Sequence, residues 1–221
     1  MTREPQLADR AGIAAAVEAL SRGRLVLHPT ETVVSLSGDP RDERAVASAR
    51  AIKGYATPRP FLCLVPDPES GRSLAAAWPA AAARLAGAFW PGPLTIVVPA
   101  SATAPPAVTG DGTIALRPAA DPVSSALLSA WGGPLFSTSA NRRGEEAPID
   151  VGAALLALAS APGSEAIELA LMPAARAERP GPAALSSTIV DVAARPPRLV
   201  RAGAIPEESI RAIVPDLEPP R

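Results

Sequence analysis

With 221 residues, the chain is long enough for one large α/β domain with a substantial core and short for two. Hydrophobic residues make up 48% and charged residues 19%, a globular balance, while 27 prolines among abundant Ala and Arg signal a compositional bias as well as a fold. The formal net charge of -1 excludes a uniformly basic nucleic-acid surface, but not a local basic cavity for a phosphorylated ligand.

In chain order, Asp9 is placed to cap a helix whose apolar stripe is Ile13, Val17 and Leu20, and Gly23 is placed to end it. Residues 25–27 read as a buried strand that breaks at Pro29 into Thr30, Glu31 and Thr32, and 33–36 resume as a second extended piece. Asp42 can cap a helix through Val46 and Ile52 that ends near Gly54. A polar loop over 53–60 then leads to an apolar strand over 61–65. Ala-rich helical segments lie on either side of Pro79, and Pro91, Gly92 and Pro93 turn the chain into a strand over 94–98. TIALR at 113–117 alternates and predicts a strand with one polar face. Pro122, after Asp121, opens a helix through Val123, Leu127 and Leu128, because its fixed φ and missing N–H suit a first helical position.

Residues 134–136 read as a short strand delivering Ser137, Thr138, Ser139 and Asn141 at its end. Asp150 caps a helix through Leu155, Leu156 and Leu158. Strands are expected over 167–171 and 188–192, separated by a mobile Pro/Gly-rich loop over 173–182; a last strand spans 198–200 and Pro206 starts a terminal helix. The alternation of strands and helices predicts an α/β fold, one domain over 1–221 with its core at about 9–205, built on a twisted mixed sheet flanked by helices.

The N-terminus, MTREPQLADR, lacks a signal-peptide profile, and no run approaches the roughly 18 to 20 apolar residues that span a bilayer, so a cytoplasmic protein without membrane contact is expected. The single Cys63 cannot form an internal disulfide and reads as a buried thiol within FLCLV. The GxxxxGK[ST] and GxGxxG loops of nucleotide sites are absent, as are a Cys/His metal cluster and a GxSxG elbow with a His partner.

What remains is a set of cations and hydroxyls at strand ends. Lys53 is the sole lysine in a chain that otherwise uses Arg, and a compact ammonium suits phosphate oxygens; a solvated lysine complementing a helix end is the structural alternative. Arg59 adds a second cation in the same loop, and Arg117 a third whose planar fork suits a carboxylate. For each, an ordinary solvated or ion-paired arginine is the competing account. His28 reads as a packed or capping histidine. Ser137, Thr138, Ser139 and Asn141 can equally cap a turn, and Thr30, Glu31 and Thr32 can equally form a polar one.

Several ordered stretches resemble the signature of the YrdC/Sua5 family: PTET at 29–32, KGYATPRPF at 53–61, FWPGPLTIVV at 89–98, TIALRPAADP at 113–122, STSAN at 137–141, STIVD at 187–191 and LVRAG at 199–203. The resemblance runs from about Ile13 to Arg201 and implies a YrdC-like domain around a large ligand cavity. It implies a nucleotidyltransferase that makes L-threonylcarbamoyladenylate from L-threonine, bicarbonate and ATP with release of pyrophosphate, the first step of tRNA t6A modification. ATP is then a substrate, Mg²⁺ accompanies it, no protein metal site is required, and a downstream threonylcarbamoyl transferase complex and a tRNA contact are the implied partners.

Carried over by position, threonine binding falls to Thr32, Arg117 and Ser187 with Thr30 and Ser137 nearby. ATP binding falls to Lys53, Arg59, Thr113, Ser139, Asn141 and Arg201, with Lys53 and Arg59 as the catalytic cations. The chain departs from the family's usual PTETxYGLG, carrying Val34 and Ser35 in place of Tyr-Gly and Ser37 at the last Gly, and Tyr55 stands where a loop Arg is common. These departures motivate a second reading, a diverged, catalytically weak or inactive nucleotide- or RNA-binding protein. A third, carbamoyl transfer, ranks last because such transferases carry further domains.

Overall fold

The computed structural model describes residues 5–55, 57, 59–173 and 185–220. Its elements are β1 (Gln6–Leu7), α1 (Arg10–Ser21), β2 (Leu25–His28), β3 (Ser35–Gly38), α2 (Glu43–Lys53), β4 (Leu62–Val65), α3 (Pro68–Ser73), α4 (Ala80–Phe89), β5 (Leu94–Pro99), β6 (Thr109–Gly110), β7 (Thr113–Pro118), α5 (Pro122–Trp131), β8 (Leu135–Ser139), α6 (Val151–Leu158), β9 (Ile167–Met172), β10 (Thr188–Asp191), β11 (Arg198–Arg201) and α7 (Glu207–Ile213).

Helix starts follow local chemistry. The Asp9, Asp42, Asp121 and Asp150 side chains each accept a backbone N–H of the first turn, satisfying donors that have no partner inside the helix. At the end of α2, Gly54 adopts φ 63, a left-handed conformation that glycine takes without a Cβ penalty.

The strands form one mixed sheet in the order β1-β9-β2-β3-β8-β4-β7-β5-β10-β11, with β6 paired to β7. Two expectations shift. The second extended piece, expected over 33–36, is hydrogen-bonded into the sheet only from Ser35 to Gly38, because the Val34 N–H is taken by Pro148 O rather than by a strand. The strand expected to end at Phe136 runs on through Ser139, because Ser137, Thr138 and Ser139 pair with Ser37, Leu36 and Ser35. The serines therefore lie within the sheet and not in a turn beyond it. The loop expected over 173–182 falls, apart from Pro173, outside the described residues.

Because successive strand residues point to opposite faces, the sheet separates two layers. Leu36, Phe136, Ile114, Leu116, Ile96 and Val98 pack on one face with Val46 and Ile52 of α2 and Leu85 of α4. Phe136 is fully buried and its ring stacks on Phe61 at 4.9 Å, a pairing that contributes about 0.5–1.5 kcal/mol beyond the area it buries. Gly38 lies opposite Phe136 in register, and a Cβ there would come within 2.7 Å of the Phe136 ring. On the other face, Leu20 of α1 and Leu127 and Leu128 of α5 cover Val26, Leu64 and Leu135. Where α1 and α5 stop, that face is left to short polar side chains.

Candidate functional site

The uncovered part of the sheet is the floor of a cavity of about 370 Å³, a size in the small-ligand range. Ser35 of β3, Ser137 and Ser139 of β8, Thr113, Ala115 and Arg117 of β7, Val97 of β5 and Ile189 of β10 line it, with Thr30 and Thr32 from the loop after β2 and Ser187 and Arg201 from the far edge. The same strands that bury Leu36, Phe136, Ile114 and Leu116 on one side thus present serine, threonine and arginine on the other.

Arg117 is the electrostatic centre. It is buried, and that desolvation lowers its pKa from the ordinary arginine value while Glu31 opposes the shift. Its Nη1 lies 3.3 Å from Glu31 Oε1, close enough to pair charges though not aligned as a hydrogen bond, and Glu31 Oε1 is left without a hydrogen-bond partner. Nη1 also donates to Thr32 Oγ1 at 3.3 Å, and Nε has no hydrogen-bond partner. As a cavity-lining guanidinium whose charge Glu31 offsets only in part, Arg117 suits an anionic ligand, and a planar carboxylate matches its fork.

The hydroxyls nearby are ordered. Thr30 Oγ1 donates to Val33 O at 2.7 Å and, with its proton committed, accepts from Thr32 at 3.0 Å. Across the cavity, Arg201 donates to Ser187 O at 3.1 and 2.8 Å and to Ser187 Oγ at 3.0 Å, and Thr95 Oγ1 braces Ser187 Oγ at 2.9 Å. Arg201 is exposed as a residue, yet partial desolvation of its guanidinium, then repulsion from Arg117, lowers its pKa. Two mutually repelling guanidiniums at one cavity favour an anionic ligand.

The other cations stand differently. Lys53, at the end of α2, is buried, and its Nζ reaches Ser139 O at 2.9 Å, Ser139 Oγ at 3.3 Å, Asn141 O at 2.5 Å and Asn141 Oδ1 at 2.9 Å. Three ammonium hydrogens face four acceptors, so the ammonium clamps the turn after β8 from behind Ser139, and neither Lys53 nor Asn141 lines the cavity. Burial pushes its pKa down to about 8, with Glu145 opposing. Arg59 is exposed and outside the lining, whereas Tyr55 from the same loop lines the cavity with its ring 6.4 Å from that of Phe61.

Thr30, Thr32, Thr113, Arg117, Ser137, Ser139, Ser187 and Arg201 are thus brought together, and Lys53 and Asn141 stand one side chain behind. Sequence reasoning missed Thr95 and Ser35. The alternation of Thr95 with buried Leu94 and Ile96 was the available signal for the first. No group of three or more metal-ligating side chains occurs among the described residues, and no helix among them is long and apolar enough to cross a membrane.

Comparison with known proteins identifies relatives of this chain and of its fold. A family model for Sua5/YciO/YrdC, described as telomere recombination, matches residues 18–203. A putative threonylcarbamoyl-AMP synthase of Mycobacterium leprae is 36% identical over 199 residues, 88% of this chain and 84% of that protein. A threonylcarbamoyl-AMP synthase of Halorhodospira halophila is 43% identical over 123 residues, 55% of this chain and 64% of that protein. The crystal structure of P. abyssi Sua5 complexed with L-threonine superposes with a TM-score of 0.83 at 29% identity, covering 99% of this chain and 61% of the Sua5 chain. E. coli YciO shares the fold at a TM-score of 0.74 and 23% identity, over 92% of this chain and 93% of its own. The chain thus spans less than two thirds of the Halorhodospira protein and of P. abyssi Sua5.

Proposed function

The chain belongs to the Sua5/YciO/YrdC family, and from that premise we propose that it is an L-threonylcarbamoyladenylate synthase, a nucleotidyltransferase acting in the cytoplasm as one domain. The observation that carries the reading is the buried Arg117 guanidinium on the cavity wall, held among Thr32, Glu31 and the cavity hydroxyls. In this reading Arg117 takes the threonine carboxylate, with Thr30, Thr32, Ser137 and Ser187 around the rest of the amino acid. The triphosphate lies toward Thr113, Ser139 and Arg201, with Lys53 and Asn141 behind Ser139, and Arg59, which is exposed outside the lining, is assigned to the phosphates from the neighbouring loop.

The chemistry asks for charge handling rather than a covalent enzyme intermediate. The threonine amine takes up bicarbonate with loss of water to give a carbamate; a carbamate oxygen attacks the α-phosphorus of ATP; the bond to the pyrophosphate oxygen breaks and pyrophosphate leaves with the electron pair. Fixed cations lower the barrier because negative charge builds on the phosphoryl and leaving groups. Mg²⁺ would accompany ATP as part of the nucleotide substrate and would offset charge on its phosphates. The product passes to a separate transferase acting on tRNA.

Pyrophosphate release from ATP by the purified protein tests the reading. Release that requires both L-threonine and bicarbonate is expected. ATP binding without such release would overturn it in favour of a binding protein in which Tyr55, part of the cavity lining, replaces a phosphate-site arginine.

A further inference from the structure

A row of side chains leads from beneath the cavity to its wall. His28 is fully buried; its Nδ1 lies 3.0 Å from Pro29 O and 3.3 Å from Ser124 Oγ, and its Nε2 lies 2.9 Å from Ser37 Oγ. Ser37 Oγ is 3.0 Å from Ser35 Oγ, which is 2.7 Å from Ser137 Oγ. All three serines are buried, and Ser35 and Ser137 line the cavity.

The direction of this row follows from one proton per hydroxyl. A carbonyl only accepts, so the Nδ1 facing Pro29 O carries the proton. Asp121 and Glu31 favour the imidazolium and Arg117 opposes it, while complete burial is the largest effect and lowers the pKa, leaving the neutral ring. Nε2 is then a lone pair, and Ser37 donates to it. With its proton committed, Ser37 accepts from Ser35 at 3.0 Å, a shorter contact than the 3.5 Å from Ser35 Oγ to its competing acceptor Thr138 O, and Ser35 in turn accepts from Ser137. Ser137 is left with only lone pairs to turn toward a ligand.

We propose that His28, acting through Ser37 and Ser35 as a positioning residue, fixes Ser137 as a hydrogen-bond acceptor, so that this wall selects a small ligand bearing a donor there and rejects its methyl isostere. The choice of ligand, an amino acid with a β-hydroxyl, rests on the function proposed above; the polarity of the wall does not. A methyl group against Ser137 leaves a buried acceptor unsatisfied, a penalty worth roughly ten- to a hundredfold in affinity.

His28 is the only histidine in the chain, so its ring nitrogens can be read by long-range proton–nitrogen NMR without assignment ambiguity. In the free protein near neutral pH the Nδ1–H neutral tautomer is expected; a protonated Nε2 overturns the proposal. Calorimetry on the same protein should show L-threonine binding roughly ten- to a hundredfold tighter than L-valine, and equal affinities overturn it. Adding L-threonine should move the Nε2 resonance, because a donor on Ser137 polarises the whole row. In Ser35→Ala that movement should vanish while threonine still binds, and an unchanged movement overturns the row as the route. Binding of neither amino acid overturns the function reading together with the ligand class, whereas equal affinity for both overturns this subsite alone. The first two measurements need no variant.

Discussion

The two faces of the sheet ask opposite things of the same strands. On one, Leu36, Phe136, Ile114 and Leu116 are buried together with residues of α2 and α4, and stability comes from area removed from water. On the other, Ser35, Ser137, Thr113 and Arg117 surround open volume, and Arg117 is a buried charge whose desolvation is only partly offset by Glu31. The first face holds the fold; the second holds a site that a ligand would complete. Substitutions on the two faces should therefore separate stability from activity.

The largest effect is expected on the packed face. Phe136→Ala removes a fully buried ring stacked on Phe61, and should cost about 3–5 kcal/mol in denaturant unfolding. Arg117→Ala on the cavity face leaves Glu31 without its partner and should cost less in unfolding than Phe136→Ala, while lowering threonine-dependent pyrophosphate release about a hundredfold, the loss typical of one preorganised charge contact. If Arg117→Ala unfolded as readily as Phe136→Ala, the division of labour between the faces would be wrong.

That division is partly legible in the amino-acid sequence. TIALR announces a strand with Arg117 on its polar side, and four aspartates announce helix starts that the structure confirms. These signals are local, written within a few residues. The row from His28 to Ser137 is not legible, because Ser35 and Ser137 are 102 positions apart and meet only once β3 pairs with β8. In sequence, Ser35 and Ser37 stand out only as departures from a glycine pattern, and His28 only as a histidine beside a proline. The strands β1 and β6, two residues each, carry too little pattern to be read, being defined by the partners they meet. Lys53 is legible as unusual from composition, but its contacts with Ser139 and Asn141 come from sheet pairing.

Lys53 belongs to both layers, and it sharpens the comparison with the smallest effect. It rises from α2, whose Val46 and Ile52 lie in the packed layer, and its ammonium reaches Ser139 at the cavity wall. Burial holds its pKa at about 8, below the ordinary lysine value, so the cation is lost as pH rises through that value. If the ammonium supports the triphosphate, directly or through Ser139 and Asn141, ATP affinity should fall between pH 7 and pH 9 by at most about tenfold, the drop in the charged fraction of a group titrating there. Bound phosphate raises the ammonium's pKa in the complex, so the fall begins at the free protein's value and levels off only above the higher value of the complex. Cys63, pushed up to about 12 by burial, and His28, lowered by burial, do not titrate in that window. Calorimetric titration with ATP across the range measures the slope, and Lys53→Met should abolish it and leave a weak, flat affinity. A slope that survives in Lys53→Met would assign the titration to another group and leave Lys53 as a clamp on the turn after β8, a residue of the packed layer alone.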